Sequence, residues 1–346
     1  MSTTEAERQL LRDTVTELLA EHCTPERVGA TAGSGAGWDE VTWRALTETG
    51  LTLVGSAEEY GGSGGDLSEA ADIAVAAGAA AAPVPLAETL AVGMVLAGAK
   101  VAIPDGPLTL AVVGAGEGVT LPRVPYGRMA STVVVGSGGG GDWLAVLPPG
   151  QGAELGHNLA GEPRDQIVLG ALADQHEAPA GTVDRARGLA QLFRSLLIAG
   201  AAQRALELTI TYVTEREQFG RPLGKMPVVQ SELARMAGEV AVISAATQAA
   251  VATAATGEPG PAAISAVLAA KAQASAGAGV IAAIAHQLHG AIGTTQEHRL
   301  RLTTTRLWAW RDEDGAAAEC FAELGRAAVA AAGPGGPGLW PWLTGP

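Results

Sequence analysis

Arg216-Glu217-Gln218-Phe219-Gly220-Arg221-Pro222-Leu223 sets a cation, an amide, an aromatic ring and a glycine side by side between two long helical patterns. Before it, Leu189, Leu192, Leu196, Ala199, Leu206, Ile210 and Val213 recur three, four or seven positions apart, the period of one buried helix face. After it, Leu233, Met236, Val240, Ile243 and Ala250 repeat that period across 228–256. A turn containing Gly220 and Pro222 therefore joins two helices packed side by side. Arg216 falls in the last turn of the first, free to reach an anion at the joint.

Working outward, the C-terminal half is helical over 185–215, 228–256, 261–289 and from 299 onward, with a break at 257–260. Those are the helices of a four-helix bundle. At the other end, 4–22 carries Leu10, Leu11, Val15, Leu18 and Leu19 on one side and reads as an amphipathic helix that Thr24-Pro25 ends. A loop over 32–37 and a second helix over 38–49 follow, and then the glycine-rich GSAEEYGGSGGDLSEAADIAVAAG at 55–78.

From Leu108 the period changes. LTLAVV, STVVV and DWLAVLP are short β-branched or apolar runs separated by GAGEG, GSGGGG and a Pro-Pro pair, the pattern of strands and hairpins. GAGEG lacks GxGxxG spacing, and the strand-like VTLPRV follows it where a dinucleotide fold would place a helix. GSGGGG lacks the GK[ST] ending of a phosphate loop and reads as a hairpin. The fold class is mainly α with a small central β domain. Its parts are an N-terminal helical domain over 1–106, a reduced β-barrel-like middle over 107–184, the helical bundle over 185–332 and a Pro/Gly-rich tail over 333–346.

Composition bounds the partners. The chain has 346 residues, 47% of them hydrophobic and 4% aromatic, so a substantial core is expected to pack through small side chains. A formal charge of -14 lacks the basic footprint that nucleic acid requires. Any phosphate must be met by local arginines and helix N-termini. Cys23 and Cys320 have neither CxxC nor zinc spacing, and a reducing cytosol is the simplest reading. The N-terminus lacks the apolar core of a signal peptide, and no run reads as a membrane span. His286, His289 and His298 include an H-x-x-H pair, but no Glu stands in the HExxH position, so no metal site is expected.

REQFG followed by RPLGKM, preceded by GAAQRALELTITYVTE, resembles the acyl-CoA dehydrogenase family at the entry to its C-terminal domain. QLHGAIGTTQEHRL at 287–300 matches the same family a second time, in the right order. The loop at 55–65 resembles that family's N-terminal "pEeyGG" turn. It reads equally as a surface turn and as a loop cleared of side chains beside a bound acyl group. The resemblance implies an FAD-dependent α,β-desaturation of an acyl thioester. Arg216, Gln218 and Phe219 stand at one FAD-contacting motif, and Gln287 and Gly290 at the second, against the ADP half of the cofactor. A guanidinium suits two phosphate oxygens and a flat ring suits a flat cofactor. Ala291 and Pro227 depart from the family's usual glycine and glutamine.

The flavin-facing stretches of the family's β domain, "TEP…GSD" and "G.K.wit", are absent here. The family's base is a glutamate whose pKa is raised toward neutrality. At one of its two positions this chain has Ala190-Gln191, and near the other only Glu313 and Asp314 could serve, in a segment that otherwise reads as a charged solvated turn. The resemblance thus implies a subunit of a mixed oligomer that clamps the ADP portion of a partner's FAD. Such pairs desaturate bulky esters such as sterol side-chain thioesters. Electron-transfer flavoprotein is the implied electron acceptor. Two alternatives stay open: a self-sufficient homo-oligomer using Glu313 or Asp314, and a helical scaffold that has lost FAD. The acyl group, and CoA against carrier-protein thioesters, are not fixed by these residues.

Overall fold

A computed structural model describes residues 4–113, 120–151, 153–168, 175–218, 220–255 and 260–344. Phe219, GAGEG and most of the break at 257–260 lie outside the described residues. The chain divides into two compact units, Met1–Phe193 and Arg194–Pro346.

The first unit opens with α1 (Glu5–His22), α2 (Pro25–Gly33), α3 (Glu40–Glu48), α4 (Leu67–Ala79) and α5 (Leu86–Gly98). Thr4 caps α1, its hydroxyl accepting from Glu7 N–H while the Glu7 carboxylate accepts from Thr4 N–H. Thr24-Pro25, expected only to end that helix, also starts α2. The Thr24 hydroxyl accepts from Arg27 N–H, and Pro25 takes the first position, where its missing N–H costs nothing. α1 is tied to α4 through Asp72, which pairs with Arg8 at 2.6 Å and Arg12 at 3.2 Å.

The glycines at 55–65 turn out to serve the loop itself. Gly55, Gly61, Gly64 and Gly65 have positive φ, and a Cβ on Gly62 would lie 2.1 Å from the Ser56 carbonyl oxygen. A Cβ on Gly55 would lie 2.2 Å from Met94 Cε on α5. These residues let the chain fold tightly onto α5, so their spacing does not by itself mark a cleared ligand space.

Seven strands follow: β1 (Leu108–Val113), β2 (Thr120–Pro125), β3 (Ser131–Gly138), β4 (Gly141–Leu147), β5 (Ala153–Glu154), β6 (Arg164–Val168) and β7 (His176–Ala178). They make one sheet of order β1-β3-β4-β7, with β1 and β3 parallel, and a second of order β2-β6-β5. The GSGGGG run forms the β3–β4 hairpin, with Gly138 opposite Gly141. Between the sheets lie Ala111, Val113, Leu121, Val124, Val134 and Ile167, with Trp143 and Leu147 packed against them. Thr89 joins α5 to the strands. Its hydroxyl donates to Pro85 O at 2.7 Å and accepts from Leu108 N–H at 3.0 Å.

α6 (Thr182–Glu215) continues from the first unit into the second. The short pair β8 (Glu217–Gln218) and β9 (Arg221–Pro222) comes next, then α7 (Pro227–Ala254), α8 (Pro261–His289), α9 (Leu300–Trp310), α10 (Ala317–Ala332) and α11 (Leu339–Thr344). α8 packs against both α7 and α10. The periodic residues behave as expected, with Leu192, Leu196, Val213, Met236, Val240, Ile243 and Ala250 all buried. Ile210 is the exception at 46% exposed. Within the Pro/Gly-rich tail, Leu339–Thr344 forms α11. Two helical segments, Pro227–Ala254 and Pro261–Thr294, are long and apolar enough to cross a membrane. In the second, 67% of the most apolar stretch is buried inside the fold, as in the core helix of a globular unit.

Candidate functional site

The second unit places the two motifs at one end of its helices. α6 stops at Glu215, where its pattern ends, and Arg216 begins a hairpin rather than lying in the helix's last turn. Arg216 N–H still donates to Tyr212 O at 2.8 Å, and its own carbonyl accepts from Leu223 N–H at 2.8 Å, so its backbone is held from both sides. Glu217 faces Pro222 and Gln218 faces Arg221 across the hairpin, where Gly220 sits at φ +75° with open space around it. The reversal needs the glycine for its backbone conformation and not for room. Arg216, Gln218 and Arg221 are exposed.

α8 delivers the other half. Gln287 is exposed in its last turn, and Gly290 follows at φ +66°, exposed and with nothing near its α-carbon that a side chain would meet. The link between the halves is aromatic. Tyr212, one turn before Arg216, stacks on His289, next to Gly290, with ring centroids 4.4 Å apart. His298 closes on the same pair, 4.8 Å from His289 and 6.1 Å from Tyr212, both edge-on. His286 lies flat against Trp308 at 5.0 Å.

The hydrogen bonds fix the tautomers. His289 Nδ1 lies 2.7 Å from the Ala285 carbonyl, which can only accept, so the proton is on Nδ1. Leu300 N–H donates to His298 Nδ1 at 3.2 Å, placing that ring's proton on Nε2. Thr304 donates its hydroxyl proton to Leu300 O and so accepts from His286 Nε2–H at 2.8 Å. Burial holds all three imidazoles below the usual histidine pKa, His289 at about 4; Arg299 adds to the effect at His298. A neutral stack therefore supports the end of the bundle.

Cations here differ from those elsewhere. Arg204 and Arg235 pair with Glu207 and Glu232 on their own helices. Arg216, Arg221 and Lys225 have no ion pair among the described residues. Glu215 and Glu217 are exposed in the same stretch, so three cations and two acids face solvent there. The sequence pointed to Arg216, Gln218, Gln287 and Gly290; it did not single out Tyr212, Arg221, Lys225, Thr304 or Trp308. The one signal for Tyr212 was its position, four residues before Arg216 on the same helix face.

Glu313 and Asp314 occupy the turn after α9, Glu313 partly buried and Asp314 exposed. Arg194, 3% exposed, lies 2.9 Å from Asp314 through Nε and 3.4 Å from Glu313 through Nη2. The acids' side chains are 27% and 9% exposed, so Glu313 is far from the solvated turn its sequence resembles. Lys271, fully buried on α8, donates to Ser275 Oγ at 2.6 Å, Gly315 O at 2.7 Å and Arg311 O at 3.2 Å. Burial lowers its pKa to about 8, against the opposing pull of Asp314. No group of three or more metal-ligating side chains occurs among the described residues.

Cations, two glutamines and a glycine free of side-chain crowding are thus exposed on these two motifs. Comparison with known proteins identifies the family. Residues 5–101 match the description "Acyl-CoA dehydrogenase, N-terminal domain" and residues 190–312 "Acyl-CoA dehydrogenase, C-terminal domain". The chain is 34% identical over 302 residues to acyl-CoA dehydrogenase IpdE2 of Mycobacterium tuberculosis, covering 86% of this chain and 89% of that one. It is 31% identical over 305 residues to IpdE2 of Mycolicibacterium smegmatis, covering 86% and 90%. Among solved structures, the ChsE4-ChsE5 complex from Mycobacterium tuberculosis matches with a TM-score of 0.85 at 22% identity, over 96% of this chain and 99% of that one. The Tcur3481-Tcur3483 steroid ACAD G363A variant matches at 0.84 and 24%, over 94% and 98%. With a helical first unit carrying two small sheets, a bundle whose two nucleotide motifs meet at one end, and relatives over most of its length, this chain belongs to the acyl-CoA dehydrogenase family.

Proposed function

We propose that the chain is a flavoprotein subunit that takes part in the α,β-desaturation of an acyl-CoA thioester by gripping the ADP portion of FAD in a mixed oligomer. The observation that carries this is the meeting of the two motifs through the Tyr212–His289 stack, with Arg216, Gln218, Gln287 and Gly290 all exposed around it. Arg216 would hold the diphosphate, helped by Arg221 and Lys225, while Gln218 and Gln287 donate amide protons to phosphate or ribose oxygens. Gly290 would let the cofactor approach the backbone. FAD, when bound, supplies the acceptor for the hydride that leaves the β-carbon, and electron-transfer flavoprotein would take the electrons onward. The chain's own residues bind and orient; the carboxylate that removes the α-proton would come from the other subunit.

Two features support assembly. Ala234, Gly238, Ala241, Val242 and Ala245 leave one face of α7 apolar and exposed, a surface that a neighbouring helix could cover closely. Solved relatives are named as a ChsE4-ChsE5 complex and as Tcur3481-Tcur3483, the latter a steroid ACAD. A bulky polycyclic or sterol-derived acyl group is the substrate class we propose by that likeness.

Expression alone and together with a second acyl-CoA dehydrogenase-like chain tests the reading. Blue-absorbing flavin and turnover should appear with the pair. Full flavin content and full activity in the isolated chain would overturn the mixed assembly, and a pair without flavin would overturn the clamp.

A further inference from the structure

Two buried cations from different helices converge on the short turn that follows α9. Arg194 reaches Asp314 and Glu313 with separate nitrogens, and Lys271 reaches the carbonyls of Arg311 and Gly315 on either side of them. Asp314 sits at φ +56°, in the left-handed region that aspartate tolerates better than most non-glycine residues. Both acids sit against charge rather than against the apolar wall that would favour a proton acceptor near neutrality. Breaking such a pair from one side leaves a buried charge uncompensated.

We propose that Arg194, paired with Glu313 and Asp314, and Lys271, bonded to the Arg311 and Gly315 carbonyls, form a two-cation latch on this turn, which fixes α9 against α6 and α8 and supplies no proton acceptor. Arg194 is the positioning residue of the latch. The role given to proton transfer rests on the function proposed above; the latch itself rests only on these contacts.

The test has two arms. In the first, the full chain and its Arg194→Met, Asp314→Asn and doubly substituted forms are unfolded in denaturant. The latch predicts that the two changes couple by roughly tenfold in the unfolding constant. Arg194→Lys should keep coupling to one acid and lose it to the other, since one ammonium cannot reproduce two separately placed guanidinium bonds. A simple volume effect would not split the two acids. Additive changes, or equal coupling of the Arg194→Lys form to both acids, would overturn the latch. If Arg194→Met does not fold, Arg194→Lys with Asp314→Asn and Glu313→Gln completes the cycle. In the second arm, the assembled pair carrying Glu313→Gln and Asp314→Asn should turn over acyl-CoA within about threefold of the unsubstituted pair. A loss of about a hundredfold or more in turnover, with flavin retained, would make one of them the base and overturn the second half of the proposal. A pair inactive on every acyl thioester before substitution would defeat the proposed function while leaving the first arm to decide the latch.

Discussion

The second unit has two groups of charges, one partway along α8 and one at its C-terminal end, and they are built in opposite ways. On α8, Lys271 and Gln287 are separated by roughly 24 Å at 1.5 Å per residue. Around Lys271 the cations are buried and every charge is engaged: Arg194 with Asp314 and Glu313, and the lysine with two carbonyls and a serine. Around Gln287 the cations Arg216, Arg221 and Lys225 stand exposed without ion pairs among the described residues, on a platform of neutral stacked rings. The closed end uses its charges within the fold, and under the proposed function the open end keeps them for a ligand. Both contain the residue types that a motif search flags, so pairing and burial, not residue type, separate the two roles.

The largest expected effect breaks the open end. Arg216→Ala with Gln287→Ala removes two bonds to an anionic cofactor, each worth about 1.5–3 kcal/mol. Flavin retained by the assembled pair through gel filtration should fall by at least about a hundredfold in affinity, while the thermal midpoint of the isolated chain barely moves. An unchanged affinity would erase the contrast between the ends.

At the closed end the sign of a pH effect is informative. Lys271 has a folded pKa of about 8 against an ordinary 10.5, so between those values the unfolded chain holds a proton that the folded chain does not. Stability from this group therefore rises as pH rises from 8 to 10.5 and is at its lowest below 8. Compared with Lys271→Met, the unsubstituted chain should gain on the order of 3 kcal/mol across that window, read from urea unfolding at each pH. A flat difference would mean that the ammonium is not desolvated as its burial implies.

A smaller effect probes the platform. His289 has its pKa lowered to about 4, and it is neutral when folded. As pH falls from 6.5 toward 4 the unfolded chain takes up a proton that the folded stack refuses, so stability is lost in that window and is fully present above it. Allowing for partial solvent screening, the loss is about 1–2 kcal/mol. His289→Phe should keep the stack on Tyr212 and remove most of this slope, measured as unfolding midpoints between about pH 4 and 7.

Much of this was legible before any coordinates. The helix period located α6, α7 and α8 to within a few residues, and the two family-like motifs indicated the open end. Local chemistry was read less completely. Thr24-Pro25 signals both a stop and a start, and only the second meaning produces α2. Ile210 keeps the apolar period yet faces outward, because a repeat says which residues share a face and not where that face ends. The closed end was the least legible. Arg194 and Asp314 are 120 positions apart, and no spacing rule relates a lysine in an alanine-rich helix to the carbonyls of a distant turn.

The tight seam between α7 and α8 also bears on how freely this molecule can vary. Alanine and glycine look like the most replaceable letters in the chain, and a helical glycine ordinarily welcomes a methyl group, by about 1 kcal/mol. At Gly277, however, that methyl would come within 2.8 Å of Ile243 Cδ1 and 3.2 Å of a Glu239 carboxylate oxygen. A saturation mutagenesis map should accordingly show that Gly277 admits Ala only with a shift of the Ile243 side chain, and that larger residues there gain from a smaller residue at 243 in the same variant.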